Sequence, residues 1–329
     1  MATVFVTGGS GYVGRNLIRH LLARGDRVRA LARSASAAQL VEGLGAEAVR
    51  GDLDDRDALL RGMQEGDAVF HCGALVVEWA PKAEFERVNV AGTQHVVDAA
   101  RAAGVPVLVH VSTEAVLADG TPILDADETR PVPDRPLPRY PATKAEAERI
   151  VRAANGTGLR TVIVRPRLIW GNDDSSVLSQ LEHAVNAGRF MWIDGGRYLT
   201  STCHVDNLCE ALLLAAERGR GGEAYFVTDG EPVELRAFVT AMLRTRGVDA
   251  GERCLPHALA LAAATAGEKL WDLLGLRQPP PATRMAIRLI GEPVTVRDDK
   301  ARQELGYVGR VSREQGLATL RRPQEHAQA

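Results

Sequence analysis

Thr7-Gly8-Gly9-Ser10-Gly11-Tyr12-Val13-Gly14 is the stretch whose reading decides the fold. Before it stands Ala2-Thr3-Val4-Phe5-Val6, short, apolar and β-branched, the pattern of a buried strand. After it, Arg15 to Ala23 carries Leu17, Ile18, Leu21 and Leu22 at helical spacing. A strand therefore runs into a glycine turn, and the turn opens a helix. In that context Gly8 allows a sharp turn, Gly11 lets backbone approach a pyrophosphate, and Gly14 lets the helix lie close on the strand. The helix N-terminus adds unpaired N–H groups and the positive end of its dipole. Thr7, Gly8, Gly11, Tyr12, Val13 and Gly14 are accordingly assigned to a dinucleotide.

Outward from this loop, strands alternate with helices. Strands are expected at Arg27–Arg33, Ala46–Gly51, Asp67–Cys72, Val105–Val111, Leu159–Arg165 and Ala224–Val227. Helices are expected over Glu84–Ala103, closed by Gly104, from Tyr140 through Val151, and from the His204 segment to Glu217. Five prolines between Pro131 and Pro141 make a rigid loop that delivers Tyr140 to its helix. The pattern is an α/β chain with a Rossmann-type, doubly wound parallel sheet and a smaller, mainly C-terminal α/β substrate-binding domain. Residues 1–170 with 203–228 form the first domain, 171–202 with 229–322 the second, and 323–329 a tail.

The 329 residues, 45% of them apolar, suffice for a large core, and a net charge of -2 argues against a nucleic-acid partner. Cys72, Cys203, Cys209 and Cys254 form no C-x-x-C pair and no zinc spacing, so no metal is expected. The first strand begins at once, leaving no room for a signal peptide, and the Ala258–Ala264 run is too short to span a bilayer. A cytoplasmic protein is expected.

Tyr140 and Lys144, four apart at a helix start, share one face. A lysine ammonium can stabilise a tyrosinate and hold a ribose hydroxyl. Lowering a phenol by about three pH units takes roughly 4 kcal/mol, which the ammonium and a positively charged nicotinamide in a dry site can supply. Thr113, at the carboxyl end of a central strand where such sheets bind ligands, can hydrogen-bond the same substrate oxygen. Ser112 is the neighbouring hydroxyl.

These residues resemble an extended short-chain dehydrogenase/reductase over nearly the whole chain. Thr7, Gly8, Gly11 and Gly14 match its glycine motif, Tyr140 and Lys144 its Tyr-x-x-x-Lys, and Thr113 its hydroxyl position. The resemblance implies that Asn89 braces the lysine through water; a helix cap or buried polar group is the alternative for that side chain. Within the family, Tyr140-Pro141-Ala142-Thr143-Lys144, Val164-Arg165-Pro166, Trp170-Gly171, His204-Val205-Asp206-Asn207-Leu208 and Ala224–Gly230 are most similar to the 3β-hydroxysteroid dehydrogenase group, which includes dihydroflavonol reductases. That likeness implies interconversion of a ketone and a secondary alcohol on a bulky hydrophobic molecule. It also suggests a homodimer through the helices at 84–103 and 140–154.

An NAD site places a carboxylate after the second strand, whereas this chain reads Leu31-Ala32-Arg33-Ser34. A guanidinium grips a 2′-phosphate that an acid would repel, so NADP(H) is expected, with NAD(H) as the alternative. Asp52 and Leu53 are expected to flank the adenine, and Cys72, Gly73 and Ala74 to line the cofactor. The rival function in the superfamily is a nucleotide-sugar epimerase or dehydratase, whose diphosphate-binding Arg is replaced here by Thr200, Ser201 and Thr202. A non-catalytic NADP-binding regulatory protein is the second alternative, set against the retention of Thr113, Tyr140 and Lys144. Val76, Trp79, Trp170, Phe190, Trp192 and Tyr198 are candidates for an apolar pocket, of which two or three are expected to touch substrate. Leu255 to Leu276 suits a lid, a membrane-surface contact or a core-packing helix pair, and the last is favoured.

Overall fold

The structure is a computed structural model and describes residues 1–174, 177–276 and 278–320. Seven parallel strands form its main sheet: β1 (Thr3–Thr7), β2 (Arg27–Ala32), β3 (Glu47–Arg50), β4 (Ala68–His71), β5 (Val107–Val111), β6 (Arg160–Pro166) and β7 (Ala224–Val227). Their order is β7-β6-β5-β4-β1-β2-β3. The order reverses between β1 and β4, so the loops leaving these strands diverge and open a crevice at their carboxyl ends.

Period-two alternation sends side chains of one strand to opposite faces. Val4 and Val6 of β1 pack with α1 (Tyr12–Ala23), α2 (Ala35–Gly43) and α6 (Val205–Arg218). Phe5 points the other way, among α3 (Arg56–Met63), α4 (Gly92–Ala102) and α5 (Tyr140–Ala154). Burial on both faces explains why these strands read as nearly continuous apolar runs.

Two features were not foreseen. The helix expected over Glu84–Ala103 changes pitch: Lys82–Phe85 is α, Glu86–Ala91 is π, and α4 follows. The wider turn carries Asn89 inward, and such π segments recur at functional sites. In addition, Ile123–Ala126 forms a strand of a second sheet, in the order Val233–Glu234, Leu199–Thr200, Val294–Val296, Ile123–Ala126. A residue range assigned by sequence to the large domain therefore contributes to the small sheet. The expected tail 323–329 lies outside the described residues, as does the end of the second segment.

Above the sheet's carboxyl edge sit α7 (His257–Leu274), α8 (Arg284–Ile290) and the helices Val177–Asn186 and Leu235–Arg244. Among the described residues no helix is long and apolar enough to cross a membrane. No group of His, Cys, Asp and Glu among them could hold a metal ion.

Candidate active site

The glycine loop is shaped by close backbone approach. Gly8 has φ +70°, and a Cβ there would stand 2.7 Å from the Gly73 nitrogen. Gly14 packs more tightly still: its Cβ would lie 2.2 Å from the Gly8 carbonyl oxygen. A Cβ on Gly11 would meet only that same oxygen, at 3.1 Å. The loops after β1 and β4 are thus interlocked at Gly8, Gly14 and Gly73, while Gly11 stays open to the crevice.

Thr7 closes the junction. Its Oγ1 accepts from the Gly73 N–H at 3.1 Å and lies 2.7 Å from His71 Nδ1. His71 Nε2 lies 3.0 Å from Thr93 Oγ1, which donates to the Asn89 carbonyl at 2.6 Å. Thr93 Oγ1 thus accepts from the His71 Nε2–H, and His71 Nδ1 accepts from the Thr7 hydroxyl. Burial, reinforced by the Lys144 charge, lowers the His71 pKa to about 3 and keeps it neutral. Burial pushes the Cys72 thiol up to about 12, so Cys72 is no thiolate. The Asn89 amide holds the chain around it: Oδ1 accepts from Leu75 N at 2.7 Å and Nδ2 donates to Thr143 Oγ1 at 3.1 Å. Its direct partners are therefore the β4 loop and the residue before Lys144.

Tyr140 opens α5, with Pro141 beside it in the first turn, where a missing N–H costs nothing. The preceding Arg139 is held at φ +68°, so the proline-rich loop reaches the helix through a strained residue. Tyr140's phenol lies near the Thr113 hydroxyl, which favours its ionised form. Thr113 itself donates to Glu114 Oε2 at 2.8 Å and accepts from Ala115 N at 3.2 Å. Glu114 is buried and held by Arg167 Nη1 at 3.0 Å. The buried Lys144 ammonium donates to the Val111 carbonyl at 2.7 Å and to His110 Nε2 at 3.2 Å. Desolvation lowers its pKa to about 8.

These contacts bear on the tyrosine's chemistry. The chain's own groups do not bring the Tyr140 phenol down: burial and the Glu114 charge raise its pKa, and only the Thr113 hydroxyl works against them. The lysine's protein contacts go to β5. Of the hydroxyls beside each other, Thr113 meets Tyr140, whereas Ser112 Oγ is buried with no partner among the described residues.

Arg33 stands exposed at the end of β2, and Ser34 caps α2 by accepting from Ala37 N at 3.1 Å. Asp52 and Leu53 leave β3, where Asp52 accepts from Asp54 N and Leu53's carbonyl receives His95 Nδ1 at 2.9 Å. Tyr12 Oη is buried with no hydrogen-bond partner among the described residues, near Asp174 and Asp206. Val13 packs against the core below the loop.

The expected apolar pocket divides. Trp170 is fully buried with Nε1 on Asp229 at 2.7 Å, and Trp192 is buried with Nε1 on the Gly251 carbonyl at 2.9 Å. Phe190 packs edge-on against Trp192, ring centroids 4.8 Å apart. These three belong to the core of the small lobe, because each indole satisfies its N–H there and the phenyl follows its neighbour. Half-buried Tyr198 also joins that cluster, its hydroxyl on the Ile290 carbonyl. Val76 is 65% exposed on the β4 loop. Trp79 lines a cavity of about 460 Å³ with Pro138, Arg139, Trp271 and Leu276. The Arg139 guanidinium lies 3.4 Å from the Trp79 ring centroid and pairs with Asp272. This cavity begins one residue from Tyr140 and is roofed by α7, so that helix covers the ligand edge as well as packing on α8.

Sequence reasoning missed Glu114, Arg167, His71 and His110. A signal was present: each is a charged or polar residue within or beside a mostly apolar strand-end stretch, where an unpartnered polar group would be costly.

The chain belongs to the 3-beta hydroxysteroid dehydrogenase/isomerase family, whose profile its residues 5–257 match. It is 57% identical over 317 residues to a 4-hydroxy-2-methyl-3-oxo-4-farnesyl-3,4-dihydroquinoline-1-oxide ketoreductase of Stigmatella aurantiaca, covering 96% of this chain and 95% of that one. A 2-alkyl-3-oxoalkanoate reductase of Stenotrophomonas maltophilia is 38% identical, with 97% and 98% covered. Among solved structures, MoeE5 in complex with UDP-glucose and NAD superposes with a TM-score of 0.73 at 26% identity, over 97% of both chains. The chain is thus an extended short-chain dehydrogenase/reductase, an NAD(P)-dependent oxidoreductase acting on CH-OH/C=O groups.

Proposed function

We propose that this enzyme uses NADPH to reduce a ring ketone on a large, mostly apolar bicyclic molecule bearing a long hydrocarbon tail. The observation that carries the reading is the meeting of Thr113 and Tyr140 at the end of β5, with Lys144 buried one helical turn on. The relative at 57% identity supports the substrate class.

The interlocked glycine loop fits a dinucleotide, since its one open face is the Gly11 backbone at a helix N-terminus. Thr7, Gly8, Tyr12, Val13 and Gly14 would shape that cradle. Asp52, Leu53, Cys72, Gly73 and Ala74 would border the nucleotide, and exposed Arg33 would hold the 2′-phosphate. When bound, the cofactor supplies the hydride. The protein does the rest. Thr113 and Tyr140 position the ketone oxygen, and Tyr140 donates its proton there. Lys144 holds a ribose hydroxyl and supports the tyrosinate that forms, while Asn89 fixes the β4 loop against α5. Trp79 and the cavity beneath α7 receive the apolar body of the substrate. Thr200, Ser201 and Thr202 are all buried, so that segment offers no cation to the diphosphate of a nucleotide sugar.

Residues 1–170 with 203–228, apart from the Ile123–Ala126 strand, act as the cofactor domain, and 171–202 with 229–322 as the substrate domain. The helices α4 and α5 would form the seam of a homodimer. The enzyme works in the cytoplasm.

Tyr140→Phe tests the mechanism. NADPH titration should be unchanged, while reduction of a farnesylated dihydroquinolone ketone falls at least about 100-fold. Equal rates in the variant would refute the role of Tyr140. A panel adding 2-alkyl-3-oxoalkanoates and 3-ketosteroids tests the substrate class.

A further inference from the structure

A lysine ammonium has three protons to donate and no lone pair. Two of the Lys144 protons are spent on β5. One goes to the Val111 carbonyl at 2.7 Å and one to His110 Nε2 at 3.2 Å. Nζ makes no further hydrogen bond among the described residues, so its third proton is left for what enters the crevice. Because an ammonium cannot accept, His110 Nε2 is the bare nitrogen and Nδ1 carries the ring proton.

That tautomer leaves His110 Nδ1 buried with no partner among the described residues. An unpaired N–H of this kind destabilises a fold. The histidine also interrupts an otherwise apolar strand, Val107-Leu108-Val109-His110-Val111, where it is 1% exposed. Among the described residues its bond to Lys144, itself 2% exposed, is the only hydrogen bond the ring makes. His71 of β4 packs behind it, ring centroids 5.0 Å apart, and is in turn tied to Thr7 and Thr93. The imidazole is thus held in place from the side away from the lysine.

We propose that His110 is a positioning residue for the reaction: with the Val111 carbonyl, its Nε2 takes two ammonium protons of Lys144, supports the charge inside the protein and leaves the third proton to serve Tyr140 and the cofactor ribose. This rests on Lys144 acting beside Tyr140, but not on any particular ketone.

His110 can do this only while neutral, since an imidazolium would repel the ammonium. Burial, with the Lys144 charge and His71, holds it well below the usual histidine range. His71 is neutral as well. The other ionisable groups that act on Lys144 are Cys72 on the β4 loop, a neutral thiol, and Glu148 of α5, which is paired with Arg165 of β6. Burial brings Lys144 down to about 8. A hydrogen bond to its charged form opposes that fall. The ammonium is the form that supports the tyrosinate, so reduction fails as pH rises through this pKa. Losing the His110 acceptor moves that failure to lower pH.

The chain has four lysines, Lys82, Lys144, Lys269 and Lys300, so the ε-carbon resonances of isotope-labelled lysine can be followed one by one, with Lys144→Met identifying the Lys144 signal. In His110→Leu that signal should titrate about one pH unit lower than in wild type. In His110→Gln, whose amide oxygen replaces Nε2 as acceptor, it should stay near the wild-type value. The alkaline limb of kcat for ketone reduction should follow the titration in both variants. A wild-type titration in His110→Leu overturns the proposal. So does an equal fall in both variants, which would mark a general disturbance of the strand. The wild-type enzyme gives a check that needs no variant to fold: imidazole nitrogen shifts should show His110 protonated on Nδ1, and a proton on Nε2 overturns the proposal. These spectra need neither substrate nor cofactor. Failure of the underlying reaction shows separately, as a Lys144→Met enzyme with full turnover.

Discussion

The two halves of the crevice are made differently. On the cofactor side, backbone meets backbone: hypothetical Cβ atoms on Gly8 and Gly14 fall 2.2 to 2.7 Å from main-chain atoms of neighbouring segments. On the substrate side, α7 buries only Ala260, Ala264 and Glu268 well, and leaves Leu259, Leu270, Leu273 and Leu274 exposed. A nucleotide phosphate is the same in every relative, so its cradle can be fixed in main chain. An apolar ligand needs only surface of the right shape, and many side-chain sets can provide it. The first half should therefore be intolerant of small changes, and the second forgiving.

The largest expected effect tests that contrast with two ion pairs. Glu148 and Arg165 join α5 to β6 beneath the site with both side chains 2% exposed. Glu148→Ala strands the guanidinium and should cost about 3–5 kcal/mol in urea unfolding. The matching pair in the small lobe, Glu268–Arg284, is partly open to solvent, and Glu268→Ala should cost about 1 kcal/mol. Equal losses would break the comparison.

Gly14→Ala comes next. The added methyl meets the Gly8 carbonyl oxygen, which can yield only if the cradle moves. Overpacking of this kind costs about 1–3 kcal/mol. Expressed in the NADPH dissociation constant, that is a weakening of roughly 10- to 100-fold. A fluorescence titration that finds wild-type affinity would show the loop to be compliant.

This contrast also explains what could be read from sequence. The seven main strands and the Tyr140 helix were legible because burial on two faces leaves apolar runs, and glycine and proline punctuate them. Thr113, Tyr140 and Lys144 were legible because their chemistry and spacing are unusual together. The pitch change at Asn89 was not, since it follows from tertiary contacts to Leu75 and Thr143 rather than from helical spacing. The small sheet was missed because its strands are two to four residues long and drawn from four distant segments. Trp170 and Trp192 misled for a related reason. An indole suits an apolar ligand and a lobe core equally, and only the Asp229 and Gly251 acceptors distinguish the two.

A smaller effect is expected at Arg33. It stands exposed after β2, with no hydrogen-bond partner among the described residues, so removing it costs the fold little. Arg33→Ala should weaken NADPH about tenfold, the worth of one charge-assisted contact, and leave NADH unchanged. Equal loss for both cofactors would place Arg33 outside the 2′-phosphate site and weaken the case for NADP(H).

The smallest expected effect on stability is at Leu273, and it sharpens the comparison most. Leu273 is 83% exposed on α7, near the cavity that Trp79, Arg139 and Leu276 line. An exposed leucine contributes little to folding, so Leu273→Ser should alter unfolding by no more than about 0.5 kcal/mol. A loss above about 1 kcal/mol would show the small lobe to be as tightly specified as the sheet. If the exposed leucines instead serve a hydrocarbon tail, the cost appears on binding. Partial burial of one leucine by ligand is worth about 1 kcal/mol, or a several-fold rise in KM. That rise should appear with a farnesylated ketone and vanish with a short-chain analogue carrying the same ring. Stability unchanged and KM raised only for the tailed substrate is the combination that assigns the face to ligand. A rise with both substrates would assign Leu273 to the shape of the cavity instead.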